Sequence, residues 1–178
     1  MIGPSLRVAF LRAVNVGRRK VAMSRLVSLL GELGFDHVWT FVNSGNAVFD
    51  ATGSRTAVER AIETALEAEF EFEVETFVRT AAELRRVVAR APFALMDGDT
   101  HFVTFLKAAP DAATTRALES LSNDYDTLVV QGRDVHWRMH GRSSDSTLKK
   151  KDWQIVGANG GTSRNMNMLR RLVAKIDG

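Results

Sequence analysis

Between residues 5 and 79 the apolar side chains change their spacing in a fixed succession, and that succession narrows the fold more than any other feature of the chain. Leu6 to Leu11 is a nearly continuous apolar run bounded by turn chemistry, as expected of a central strand covered on both faces. Met23, Leu26, Val27, Leu29, Leu30 and Leu33 then recur at three- and four-residue steps, which predicts an amphipathic helix with Ser24 near its start and Gly34 at its end. Val38 to Val42 and Ala47 to Phe49 read as two strands joined by a two-residue Ser44-Gly45 hairpin loop, with Asn43 and Asn46 flanking it. A second helix is expected from about Ser54 to Phe70, with Val58, Ile62 and Leu66 inward and its glutamates facing out, and Thr76 to Val78 closes the pattern as a strand. Strand, helix, strand, strand, helix, strand is the ferredoxin-like split arrangement.

The remainder, from residue 80 on, predicts a helix from Ala81 to Ala91 stopped before Pro92, a strand at His101 to Leu106, and a helix at Asp111 to Leu121. A hairpin follows around Gln131-Gly132-Arg133-Asp134, then a polar loop from Gly141 to Thr147 and a short turn of helix at Lys149 to Trp153. A closing helix runs from Arg164 to Ile176, with Thr162 or Ser163 as its N-cap. The expected class is therefore α+β: a ferredoxin-like half at residues 1–79 packed against a second, smaller α+β half at 80–178. The second half reads as an echo of the first in element order, with no residue repeat detected.

Composition excludes several functions. There is no cysteine, which removes disulfides, thiol catalysis and cysteine-ligated metal centres. The apolar stretch from Leu6 to Phe10, interrupted by Arg7, is far too short for a signal-peptide core or a membrane span, so the cytoplasm is the expected compartment and no membrane partner is expected. The net charge of +3 hides an asymmetry: no acid precedes Glu32, the C-terminal stretch is basic again, and an acid-rich segment from Glu59 to Glu75 lies between. Such a distribution either builds a positive face that attracts anions or lets the segments neutralise one another.

Two basic segments enter helices. In Arg12-Ala13-Val14-Asn15-Val16-Gly17-Arg18-Arg19-Lys20, a loop leaves a central strand towards a helix start, where unpaired backbone amides favour a phosphate or carboxylate and Gly17 allows close approach. The single glycine and the absence of a Lys-Ser/Thr ending separate it from a P-loop. Gly160-Gly161-Thr162-Ser163-Arg164-Asn165 offers a similar helix start, with Arg164, Asn165 and Asn167 alongside and Arg142, Ser143 and Ser144 as candidate neighbours. In both, turn formation and capping explain the same residues without a ligand. The Asn43-Ser44-Gly45-Asn46 hairpin is expected at the opposite end of the sheet from the first loop, so that the two would not share a small ligand. His136, Arg138 and His140 would share one strand face, but two histidines without a matched acid make a poor metal site. Ser144 and Asp145 have no histidine at triad spacing, and no metal is expected.

Three segments, LRAVNVGRRKVAMSRL at 11–26, FVNSGNAVFD at 41–50 and TSRNMNML at 162–169, together resemble the bacterial family known as domain of unknown function 1697. Leu11, Arg12, Asn15, Val16, Gly17, Lys20, Val21, Met23, Ser44, Gly45, Asn46, Thr162, Arg164, Asn165 and Asn167 fit its pattern, whereas Ala13 stands for a glycine, Asn43 for glutamine, Met166 for tryptophan and Met168 for threonine. Met166 removes an aromatic surface on which a ligand would stack. The resemblance implies a two-part α+β fold and no activity. Three functional readings remain: a protein that binds an anionic small molecule through Arg12, Asn15, Gly17, Arg18, Lys20, Arg164, Asn165 and Asn167; a nucleic-acid-binding protein; and a scaffold without ligand. Cofactor, reaction and oligomeric state are not assigned by the sequence.

Overall fold

The computed structural model describes residues 3–178; Met1 and Ile2, at the start of the segment judged too short for a signal peptide, lie outside the described residues. The chain divides into two compact units, Met1–Leu84 and Arg85–Gly178, of which the second is the longer. The class is α+β, with two four-stranded antiparallel sheets and six α-helices among the described residues.

In the first unit the order is β1 (Ser5–Leu11), α1 (Met23–Glu32), β2 (Asp36–Thr40), β3 (Asn46–Ala51), α2 (Arg55–Phe70) and β4 (Thr76–Thr80), with the strands arranged β2-β3-β1-β4. Alternation along the central strands decides the two faces. Ala9 and Leu11 of β1, Ala47 and Phe49 of β3 and Val78 of β4 join Leu26, Leu30, Ile62 and Leu66 of the helices in one core. The opposite face carries Val8, Phe10, Val48 and Phe77, all buried as well. Ser54 caps α2 by accepting from the Ala57 amide at 3.1 Å.

Two expectations are corrected here. The glutamates of α2 do not all face solvent: Glu59 is 3% exposed, and Glu59 and Glu63 accept from the amides of Val78 (2.9 Å) and Thr76 (2.8 Å). As β4 is an edge strand, its outward amides have no neighbouring strand, and these carboxylates satisfy them. The β2–β3 connection is also longer than two residues. It spans residues 41–45, because the Asn46 side chain donates to the Phe41 carbonyl (2.9 Å) and to Ser44 Oγ (3.0 Å) and holds the wider loop.

The second unit begins within α3 (Ala81–Ala89), whose first residues belong to the first unit. It contains β5 (Thr100–Phe105), α4 (Ala112–Glu119), β6 (Asp126–Gln131), β7 (Asp134–Met139), a short α5 (Lys150–Trp153), β8 (Thr162–Asn165) and α6 (Met166–Asp177), with strand order β6-β7-β5-β8. Leu106, Leu118, Leu128 and Val135 form its core, with Trp137 and Trp153 against them. The reading of Thr162 or Ser163 as a helix cap is overturned. Both lie in β8, opposite Phe105 and Thr104, and Asn165 caps α6 by accepting from the Asn167 amide at 2.8 Å. A four-residue polar strand leaves no apolar alternation by which to find it.

Set side by side, the two units have the same element order and strand arrangement, and the registers align their residues. Val8 pairs with Val48 and Arg79; Val103 pairs with His136 and Arg164. On that alignment Val8, Phe10, Leu11 and Ala13 recur as Val103, Phe105, Leu106 and Ala108, with Lys107 in place of Arg12. At the other end Arg79, Leu84, Arg85, Arg86, Val88 and Ala89 recur as Arg164, Leu169, Arg170, Arg171, Val173 and Ala174. The repeat that sequence inspection missed is thus present. It is hidden because the connections between matched elements differ in length, so no single offset aligns both stretches.

Candidate functional site

The β1–α1 connection, residues 12–22, folds over the end of the first sheet. Asn15 organises it: its backbone amide donates to the Arg19 carbonyl (2.7 Å), and its side-chain oxygen accepts from Val21 N (3.0 Å). The Asn15 side-chain amide donates to the Asn43 carbonyl (3.1 Å) and to Asn43 Oδ1 (3.3 Å). Loop and hairpin are therefore at the same end of the sheet, contrary to expectation. The antiparallel register explains it: Phe10 lies opposite Asn46, so β1 ends where β3 begins. Leu11 N donates to the Gly45 carbonyl at 2.8 Å, and a Cβ on Gly45 would stand 2.9 Å from Leu11 Cβ, which is why the close approach takes glycine.

Much of this end is held in the left-handed backbone region: Ala13 (φ 53°), Asn15 (57°), Gly17 (55°), Val42 (51°) and Gly45 (76°). A β-branched residue there is a true outlier, and the conformation costs an L-residue about 1–2 kcal/mol. Asparagine tolerates it, but Val42 and Ala13 do not gain from it. Val16 and Val42 are exposed at 53% and 43%.

The cations divide into two groups. Arg19 is committed to the fold: Nε donates to the Ala13 carbonyl (2.8 Å), Nη2 donates to the Glu73 carbonyl, and the guanidinium lies 4.5 Å over the Phe72 ring. Arg12 has its backbone amide on the Glu75 carbonyl (2.9 Å). Arg18 and Lys20 are exposed, and among the described residues their side chains have no acidic partner. Gly17 stands at the tip beside them. The α1 N-terminus is preceded by Ala22, which offers no side-chain cap.

The second group of candidates lies in the other unit, where Arg164 and Asn165 make contacts within the fold. Arg164 is in β8 and 8% exposed, with Nη1 donating to Thr162 Oγ1 (2.9 Å) and the Ser163 carbonyl (3.0 Å); burial pushes its guanidinium down to about 10. Asn165 occupies the α6 amide that an anion would need. Asn167 is exposed, with Oδ1 3.5 Å from Arg170 Nη1. Arg142 pairs with Asp145, and the polar loop around it is drawn in by Asp126, a fully buried carboxylate that accepts from Trp137 Nε1 (2.8 Å) and Ser146 Oγ (2.7 Å). Sequence reasoning gave Asp126 no role, since it opens a strand with nothing to mark it.

His136 lies in β7, whereas His140 follows the last residue of that strand, and the two imidazoles have different partners. His140 Nδ1 is 2.9 Å from Asp99 Oδ1, and Asp99 is held below the usual carboxylate range by the Met96 amide and then by His140. His136 Nδ1 is 3.0 Å from Nε2 of His101; both rings are buried, and His101 Nδ1 and His136 Nε2 have no hydrogen-bond partner. Among the described residues no group of three or more metal-type ligands is found. A shallow groove of about 730 Å³ along α2, lined by Leu33, Ala57, Ala61 and Ala65, contains none of the candidate residues.

A family model described as protein of unknown function (DUF1697) matches residues 5–136. The chain belongs to the DUF1697 family. The match takes in the β1–α1 loop and the β2–β3 hairpin and ends before Arg164. No curated protein matches this DUF1697 chain. Among solved structures it is similar to the conserved bacterial protein SP0830 from Streptococcus pneumoniae, with a TM-score of 0.79 at 18% identity, covering 98% of this chain and 99% of that one. At that identity the likeness concerns the fold. No helix of this DUF1697 protein is long and apolar enough to cross a membrane among the described residues.

Proposed function

We propose that both units are ferredoxin-like and that the β1 end of the first is a binding site for a small molecule carrying a phosphate or carboxylate group. Read from the other edge, each sheet has its fourth, first, third and second strands in that order, which supports the fold reading. The observation that carries the binding site is a control inside the molecule. Where the second unit goes from β5 to α4 through residues 106–111, none of them at positive φ, the first takes residues 12–22 and holds Ala13, Asn15 and Gly17 in the left-handed region. The same architecture is thus built without the longer loop, so its strain and its two unpaired cations serve something other than folding.

Arg18 and Lys20 supply the charge, Gly17 allows the backbone to approach the anion, and Asn15 fixes loop to hairpin. Arg12 borders the site. Arg164 and Asn165, engaged within the second unit, are left out of it, as is the exposed Asn167 of that unit. The test is thermal unfolding with inorganic phosphate, pyrophosphate, nucleotides and small carboxylates. A concentration-dependent rise in Tm that disappears in R18Q/K20Q is expected. No rise with any of these anions, or the same rise in the double variant, overturns the proposal.

A further inference from the structure

One face of the second sheet carries buried nitrogen atoms that the fold leaves unused. His101 and Arg138 stand directly opposite each other in the β5–β7 register, and His136, opposite Val103, is two residues from Arg138 along β7. Directly opposite residues share a sheet face, as do residues two apart on a strand, so the three side chains rise from the same face. Phe93 lies against two of them: its ring centroid is 5.0 Å from that of His101 and 5.6 Å from the Arg138 guanidinium carbon.

Each of the three has a buried nitrogen without a hydrogen-bond partner: His101 Nδ1, His136 Nε2 and Arg138 Nε. Arg138 is committed only in part, since its Nη2 donates to Thr127 Oγ1 at 2.8 Å. Native interiors leave few such atoms, and each calls for a use or an occupant. The architecture does not require them, because the first unit has Leu6, Val48 and Asp50 at the matched places. The surrounding charge decides the sign of an occupant. Burial first, then the charges of His136 and Arg170, hold the His101 imidazole down to about 4. What resists a proton there resists a metal cation too, and neither ring is hydrogen-bonded to a carboxylate.

The geometry points to a site for one compact monovalent anion, a small carboxylate or a halide, held between His101 Nδ1–H and Arg138 Nε–H. Opposite positions set the two Cβ atoms about 4.5–5.5 Å apart, within reach of one acceptor for both side chains. Arg164, on the same face opposite Val103, is engaged with Thr162 and Ser163, which leaves Arg138 as the charge to be matched. A buried charge needs such a match, and a dianion would exceed it. The tautomers follow: with His101 Nδ1 protonated, its Nε2 accepts from His136 Nδ1 at 3.0 Å, and His136 Nε2 is left as an acceptor. This site does not depend on the loop site proposed above.

The experiment follows the imidazole nitrogens of the intact, 15N-labelled chain by NMR near neutral pH, exchanging sulfate for formate or chloride at constant ionic strength. His101 Nδ1 should carry a proton, and its shift should move and saturate with formate, chloride or both. Formate alone marks a carboxylate site and chloride alone a halide site. R138Q should weaken the binding at least about tenfold, the loss expected for a hydrogen bond to a charged group. R18Q/K20Q should bind as the parent does. Tautomer and saturation are read in the parent chain, so neither depends on a variant folding. A bare His101 Nδ1, no saturable shift with either anion, unchanged affinity in R138Q, or equal loss in R18Q/K20Q would each overturn the inference.

Discussion

Between pH 6.5 and about 4, His101 and His136 accept protons in the unfolded chain before the folded protein allows it. Each ring is depressed from 6.5 to about 4: His101 by burial, then by the charge of His136 and of Arg170, and His136 by burial alone. A folded-state value below the unfolded one means that the unfolded chain binds more protons in that window, so stability is complete above pH 6.5 and falls with acidification. Below about 4 both states are protonated and the loss levels off. At about 1.4 kcal/mol per pKa unit, one ring accounts for about 3 kcal/mol. The two rings share a hydrogen bond of 3.0 Å and titrate as a pair, so their losses do not simply add. Even one is a large part of the 5–15 kcal/mol typical of a domain. Urea unfolding followed by tryptophan fluorescence at intervals from about pH 7 to 4.5 measures the slope, and the window stays above the range where carboxylates held low, such as Asp99, begin to titrate. H101Q/H136Q removes both titrations and should flatten the profile to within about 1 kcal/mol. A double variant that loses stability with acid as steeply as the parent would refute the reasoning.

Ala13→Gly relieves a left-handed alanine and should raise unfolding stability by up to about 1 kcal/mol, read as a shift in the urea midpoint at constant slope. Glu59→Ala leaves the Val78 amide without its acceptor inside a buried edge and should cost about 1–3 kcal/mol in the same assay, while Glu67→Ala on the exposed side of α2 should change it by less than about 0.5 kcal/mol.

Apolar periodicity carried most of the first unit into view. Leu26, Leu29 and Leu30 in α1 and Val58, Ile62 and Leu66 in α2 mark helices by spacing, and their inward faces are where the spacing puts them. What stayed hidden was of two kinds. Polar residues acting across the chain carry no local signal: Glu59 reaching the Val78 amide, Asp126 collecting Trp137 and Ser146, and Asn15 holding Asn43 are all decided by partners far away in sequence. Short strands of polar residues are the other kind, and β8 is found only through its pairing with β5. Asn165 in this position could be read as ligand or cap, and only the Asn167 amide at 2.8 Å decides between them.

The repeat changes what counts as informative in such a chain. With two copies of one architecture, a residue present in both is explained first by the fold, as with Phe10 and Phe105, each on the first strand and each facing the start of the third. What only one copy has is explained last by it. The first unit alone has the strained loop of Ala13, Asn15 and Gly17; the second alone has the buried histidine pair, at positions where the first has Leu6 and Val48. Apolar residues at those matched places show that the sheet has no need of imidazoles there. The pair carries an unsatisfied nitrogen at each end at a cost of about 1–3 kcal/mol per group, and like the loop it marks where the copies have been put to different uses.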